Sequence, residues 1–114
     1  MGYRSDVVFA FYPGEAVRTW VDQHWPKAWC EVEDADDLVL VRYSDVKWYE
    51  DFEFVKDARR AAEAFERVFG SDDYETARAH WEMARIGEDE SDVERDGSAF
   101  REFRLAIRRG IEVM

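Results

Sequence analysis

The sequence predicts an α+β domain, and three patterns carry that prediction. Residues 7–12 and 38–43 are almost continuously apolar, as strands buried on both faces are. Residues 52–69 repeat apolar side chains at helical spacing, with Val55, Ala58, Ala62, Phe65 and Phe69 on one stripe. Half-buried, alternating stretches lie between these runs, so strands and helices interleave along one chain.

Taken in order, residues 1–6 are a polar lead into the first strand, Val7 to Tyr12, which Pro13 and Gly14 close as a turn. Val17, Trp20, Val21, His24 and Trp25 then fall on one face of a helix over residues 14–25. Pro26 stops it by pushing Trp25 out of the helical region. Residues 28–33 alternate, with Ala28, Cys30 and Val32 on one side and Trp29, Glu31 and Glu33 on the other, which suits an edge strand. The acidic stretch 33–37 is a hairpin connection into the second central strand at 38–43, and Ser44-Asp45 is a bulge or turn before Val46-Lys47-Trp48-Tyr49. Gly70 is placed to end the 52–69 helix as a left-handed cap. Residues 80–86 read as a fourth strand at an edge, and 87–97 as an acidic loop with room for a short strand near Val93. Ser98 caps a last helix at 98–111 that carries Phe100, Phe103, Ile107 and Ile111 on one stripe.

That order fits a ferredoxin-like βαββαβ sandwich over residues 1–97 with an extra helix at 98–114, a single domain over 1–114. The first and third strands are then central, and the second and fourth are edges. Val7, Phe9 and Phe11 point one way while Val8, Ala10 and Tyr12 point the other, so both sheet faces need a cover. The terminal helix or a second copy of the chain would supply the second one.

Acidic residues outnumber basic ones 27 to 16, for a net charge of −11. A field of that sign repels nucleic acid and anionic lipid and attracts basic protein surfaces, although solubility alone also explains many acidic chains. The single cysteine, Cys30, forms no internal bridge, and no apolar run reaches the ~20 residues of a membrane span. A cytoplasmic protein is expected. Residues 98–114 invert the balance, with Arg101, Arg104, Arg108 and Arg109 against Glu102 and Glu112; Arg101, Arg104 and Arg108 share one side of the last helix and are expected to dock on the acidic body, the alternative being contact with a partner.

No catalytic or cofactor motif stands out. His24, His80 and Cys30 are the candidates for a nucleophile with its base or for soft metal ligands, but their spacing suits packing instead. In the acidic loop, Asp92, Glu94, Asp96 and Gly97 stand where a calcium loop places its early ligands and its glycine. The closing bidentate glutamate is replaced by Phe103, so Asp92, Glu94 and Asp96 are weak metal candidates. Aromatics set among carboxylates suit a protein interface. That selects Trp29, Glu31, Glu33, Asp34, Asp36 and Asp37 in one stretch, and Trp48, Tyr49, Glu50 and Asp51 in another.

Three stretches resemble a family of small, uncharacterised proteins of tailed bacteriophages and prophages. They are Met1-Gly2-Tyr3-Arg4-Ser5-Asp6-Val7, Val46-Lys47-Trp48-Tyr49, and Arg85-Ile86-Gly87-Glu88-Asp89 with Asp92-Val93-Glu94. The resemblance implies a similar order of elements over residues 1–96 and expression in a bacterial host cytoplasm, and it carries over no activity. The expectation is a non-enzymatic, cofactor-free accessory protein that binds and inhibits a host or defence protein, one route being to occupy a nucleic-acid-binding surface. It would touch neither nucleic acid nor membrane itself. Two other classes stay open: a small metal-dependent enzyme using the acidic loop at 88–96, and a structural or regulatory homodimer.

Overall fold

Every residue of the first strand from Val7 to Tyr12 is buried, so the chain must cover that strand on both faces. The computed structural model describes residues 3–12, 15–71, 77–89, 91–98, 104–107 and 110–113. Along them run β1 (Ser5–Tyr12), α1 (Glu15–His24), β2 (Glu31–Ala35), β3 (Leu38–Val46), α2 (Glu53–Phe69), β4 (His80–Gly87), β5 (Val93–Gly97), β6 (Leu105–Ile107) and β7 (Ile111–Val113). The first five strands form one antiparallel sheet in the order β2-β3-β1-β4-β5, and β6 pairs with β7 as a separate hairpin. The chain is therefore α+β, a mostly antiparallel sheet with two helices among the described residues.

The period of two along β1 divides the core. Val7, Phe9 and Phe11 meet Val17 and Val21 of α1 and Val55, Ala58, Ala62 and Phe65 of α2. Phe9 is the hub of that face, with ring centroids of Trp25 at 4.9 Å, Trp48 and Trp81 at 6.1 Å and Tyr43 at 6.2 Å. Each such aromatic pair adds about 0.5–1.5 kcal/mol beyond the area it buries. Trp25 Nε1 donates to the Tyr43 hydroxyl at 3.1 Å, so the buried indole keeps a partner. On the opposite face Val8, Ala10 and Tyr12 pack with Leu38, Leu40, Ala84 and Leu105, edged by Ile107, Ile111 and Val113.

Several expectations need correcting. The sheet has five strands and a hairpin lies beside it, so the four-stranded sandwich with a terminal helix is not what forms. Residues 93–97 pair along β4, which makes β4 an interior strand; the run Val-Glu-Arg-Asp-Gly hides the strand because none of its residues enters the core. The helix expected at 98–111 is, over its described residues, the β6–β7 hairpin. Leu105, Ile107, Ile111 and Val113 alternate with period two, and a flat ribbon lies flush on a sheet face that is itself flat. Phe100, Phe103, Arg101, Arg108 and Arg109 fall outside the described residues. Leu105, Ile107, Ile111 and Val113 do supply cover for the second face, as strands rather than as a helix. Gly70 is extended at φ −77, not left-handed, and its amide still closes α2 on the Glu66 carbonyl at 2.8 Å. The bulge at Ser44-Asp45 is present: the β1–β3 register shifts there, and Asp45 has φ 53.

One buried carboxylate ties the hairpin to the sheet. Glu82 of β4 is 1% exposed and accepts the amide of Arg104 at 2.8 and 2.9 Å and that of Leu105. Arg95 Nη1 donates to the Leu105 carbonyl at 2.9 Å, and Arg104 pairs with Asp37 at 3.0 Å while lying 5.8 Å from the centre of the Tyr12 ring. The docking expected of Arg104 thus occurs, at the β2–β3 turn. Burial pushes the Glu82 carboxyl above its ordinary value of 4.5, against the pull of the two amides and of Arg95 and Arg104.

Glu82→Ala leaves two amides beneath the hairpin without an acceptor and should cost roughly 2–4 kcal/mol of unfolding free energy, read from urea denaturation. The pH dependence has a defined sign. An acid whose native pKa is raised binds its proton more tightly when folded, so its contribution is greatest below 4.5 and is lost as pH rises through the native value. The stability of the wild type relative to Glu82→Gln should therefore fall as pH rises above 4.5.

Candidate functional site

A dense polar cluster lies at the end of the sheet where β1 begins and β3 ends. The Tyr49 hydroxyl accepts the Tyr3 amide at 2.6 Å, and the Tyr3 hydroxyl accepts the Asp89 amide at 3.0 Å. The Arg4 amide donates to Glu88 Oε1 at 2.9 Å, and the Arg4 guanidinium to the Asp45 carbonyl at 3.0 Å. Asp6 Oδ1 in turn accepts the Asp45 amide at 2.8 Å and fixes the β3 bulge. Gly87 is needed here for close approach: a Cβ at that position would run into the Tyr3 ring and the Asp92 carboxylate. Residues from three separated stretches, Tyr3 to Asp6, Asp45 to Tyr49 and Arg85 to Asp92, therefore meet in one hydrogen-bonded cluster.

Arg85 is the centre of that cluster. It reaches Ser5 Oγ at 3.2 Å, Asp92 Oδ1 at 2.9 Å and Glu94 Oε1 at 3.1 Å, with its side chain only 15% exposed. Arg59 of α2 does the same from the helix side, bonding Glu50 Oε2 at 2.8 Å and Glu94 Oε2 at 3.0 Å, with Asp96 Oδ2 at 3.9 Å. Hydrogen bonding to Arg85 holds the Asp92 carboxyl below its usual range, and Arg59 does so for Glu50. Asp92, Glu94 and Asp96 thus face guanidinium groups, and among the described residues no group of three His, Cys, Asp or Glu side chains is placed to hold a metal ion. Cys30 points its Sγ at the Pro26 carbonyl at 3.5 Å, and burial pushes its thiol up, away from the reactive thiolate. His24 is exposed, with its ring 5.0 Å from that of Trp20, rather than packed in the core, and burial lowers His80.

The residues selected for partner contact divide. Trp29 is 72% exposed, at φ 69, in the turn that leads into β2 and not within a strand. Glu31, Glu33, Asp34, Asp36 and Asp37 are all exposed along the β2 edge and its turn. Glu33 pairs with Arg42 at 2.9 Å, Asp34 with Arg18 at 3.1 Å and Asp37 with Arg104, whose hydrogen bond lowers the Asp37 carboxyl. Glu31 and Asp36 form no ion pair among the described residues. Trp48 is not an interface residue: it is 7% exposed, packed in the core against Tyr43 at 5.1 Å and Phe54 at 5.8 Å, because α2 closes over it. Tyr49 is partly buried in the cluster, while Glu50 and Asp51 are exposed.

Residue types alone missed the neighbours of Trp29. Phe52, 37% exposed, and Phe54 at the start of α2 form a groove of about 540 Å³ with Trp29, Arg4, Asp45 and Lys47. The only trace in the sequence is the pair of phenylalanines flanking Glu53, which a helical pattern absorbs as its first turn.

Arg85→Met removes the cation from Asp92 and Glu94 and should lower stability by roughly 2 kcal/mol, the scale of a hydrogen-bonded charge. Asp92 has a depressed native pKa, so its contribution holds above 3.8 and is lost as pH falls through the native value. Urea midpoints of wild type and variant should accordingly converge below pH 3.8.

Comparison of the chain with protein-family models, with curated proteins and with solved structures finds no match.

Proposed function

We propose that this chain is a non-enzymatic binding protein that docks on a basic surface of another protein through Trp29 and the acidic edge of β2. The observation that carries this reading is Trp29 itself. A large apolar side chain left 72% exposed, on a backbone conformation that bulky residues avoid, has no stabilising role in the isolated fold. Tryptophan is also the residue most often found at the energetic centre of protein interfaces. Glu31 at the near end of β2 and Asp36 at its far end offer carboxylates without an ion pair among the described residues, and the net charge of −11 steers encounter toward cationic partners.

Charge on an edge strand also protects against edge-to-edge pairing, and the ion pairs of Glu33, Asp34 and Asp37 serve that end. Trp29 serves no such purpose. In the same reading the chain is an accessory protein of phage type in a bacterial cytoplasm, inhibiting a host or defence protein whose basic surface normally holds nucleic acid. The unit from β1 to β4 is read as a ferredoxin-like core, on the support of its strand order 2-3-1-4, with β5 and the hairpin as additions. No helix among the described residues is long and apolar enough to cross a membrane.

Immobilised full-length chain should capture a basic protein from bacterial lysate at low salt and less of it at moderate salt. Trp29→Ala should abolish that capture, and Glu31→Lys with Asp36→Lys should weaken it strongly. Recovery of nothing at either salt, or equal recovery by the variants, would overturn the reading.

A further inference from the structure

The groove beside Trp29 has a different character from the acidic edge. Its walls are Trp29, Phe52 and Phe54, with the Trp29 and Phe54 ring centroids 6.2 Å apart and those of Phe52 and Phe54 6.3 Å apart. Two cations line it, Arg4 and Lys47, against one carboxylate, Asp45. The Arg4 guanidinium bonds only a backbone carbonyl, and Lys47 forms no ion pair among the described residues. Among the described residues neither cation of this groove has a carboxylate partner, so the groove carries local positive charge on a chain whose net charge is −11. Two of the three non-glycine residues with positive φ among the described residues, Trp29 and Asp45, also line it.

We propose that this groove docks a peptide segment of a partner protein in which a large apolar or aromatic side chain stands beside a carboxylate. The proposal rests on the binding-protein reading above and adds a second contact of opposite charge to it. The apolar side chain covers Trp29 and Phe52, which water now reaches, and Phe54 forms the floor between them. The carboxylate meets Lys47 and Arg4, and drying of the groove by the apolar neighbour strengthens that attraction. Asp45 repels a second anion, so the spacing of acid and apolar group on the peptide is selected as well as their presence. The volume suits one or two side chains, not an extended surface. Aromatics with cations also suit single-stranded nucleic acid, but two cations do not track a phosphate chain, and the overall charge opposes it.

The test is selection of random twelve-residue displayed peptides on the immobilised full-length chain, followed by titration of the enriched peptides. Expected is a consensus pairing an aromatic or large aliphatic residue with Asp or Glu. Affinity should fall by about tenfold or more in Trp29→Ala and in Lys47→Glu, both surface changes that leave the core intact. Glu63→Lys, on the exposed side of α2 and more than two turns beyond Phe54, should leave peptide affinity within about twofold, the tolerance of a site it does not touch. No enrichment, a basic consensus, or affinity indifferent to Trp29→Ala and Lys47→Glu would overturn the proposal. So would a labelled oligothymidine that binds and is lost in those variants, or a Trp29-dependent dimer by light scattering, which would assign the groove to nucleic acid or to a second copy. Capture of a lysate partner through the β2 edge without any selected peptide would defeat this proposal and leave the binding-protein reading standing.

Discussion

A central strand that is apolar on both faces leaves a small protein little choice. Burying each of Val7, Val8, Phe9 and Phe11 is worth on the order of 1.5–3 kcal/mol, and the share on each face is gained only if that face is covered. Two crossover helices can cover only one face, because right-handed connections place both on the same side. The second face has to be closed by something else, and here the β6–β7 hairpin does it. The hairpin is too short to fold by itself, so its position depends on the sheet beneath. Glu82 provides the polar fastening, accepting two backbone amides where an apolar side chain would have left them unpaired.

The same logic of satisfaction runs through the charges. Arg59 and Arg85 draw Glu50, Asp92, Glu94 and Asp96 into one network between α2, β4 and β5. Read as a sequence, those carboxylates suggest a cation site. In three dimensions each meets a guanidinium, because the strand pairing sets Arg85 directly across from Glu94. Part of the excess negative charge lies along β2, where Glu31 and Asp36 have no ion pair among the described residues.

Against that background the region around Trp29 departs from the rest. Trp25, Trp48 and Trp81 are core, and Arg18, Arg42, Arg59, Arg85 and Arg104 pair with carboxylates. Near Trp29 aromatic surface is open, two cations lack a carboxylate partner among the described residues, and the backbone takes up two unusual conformations. The hydrogen-bonded cluster of Tyr3, Tyr49, Gly87 and Asp89 holds the neighbouring end of the sheet rigid, which is what a binding surface on loops requires.

The sequence by itself determined the elements whose signal is local. The apolar runs at β1 and β3, the helical stripe of α2, the stop at Pro26 and the hairpin at Asp36-Asp37 all follow from periodicity and turn chemistry within a few residues. It also determined that both sheet faces need cover. Only the tertiary structure decided what supplies it, because Ile107 and Ile111 satisfy a helical spacing as well as a strand spacing, and the apolar sheet face beneath chooses between them. Long-range pairing likewise decided that Val93 to Gly97 is a strand, since its register partners lie on β4 and its own residues are polar. The candidate site was half legible. Trp29 and the acids of β2 stand out as residue types, but Trp48 carries the same signature and is core, and Arg4, Lys47, Phe52 and Phe54 meet Trp29 only when the sheet end and the start of α2 are brought together. Exposure is a property of the packed molecule, and no local pattern of residues encodes it.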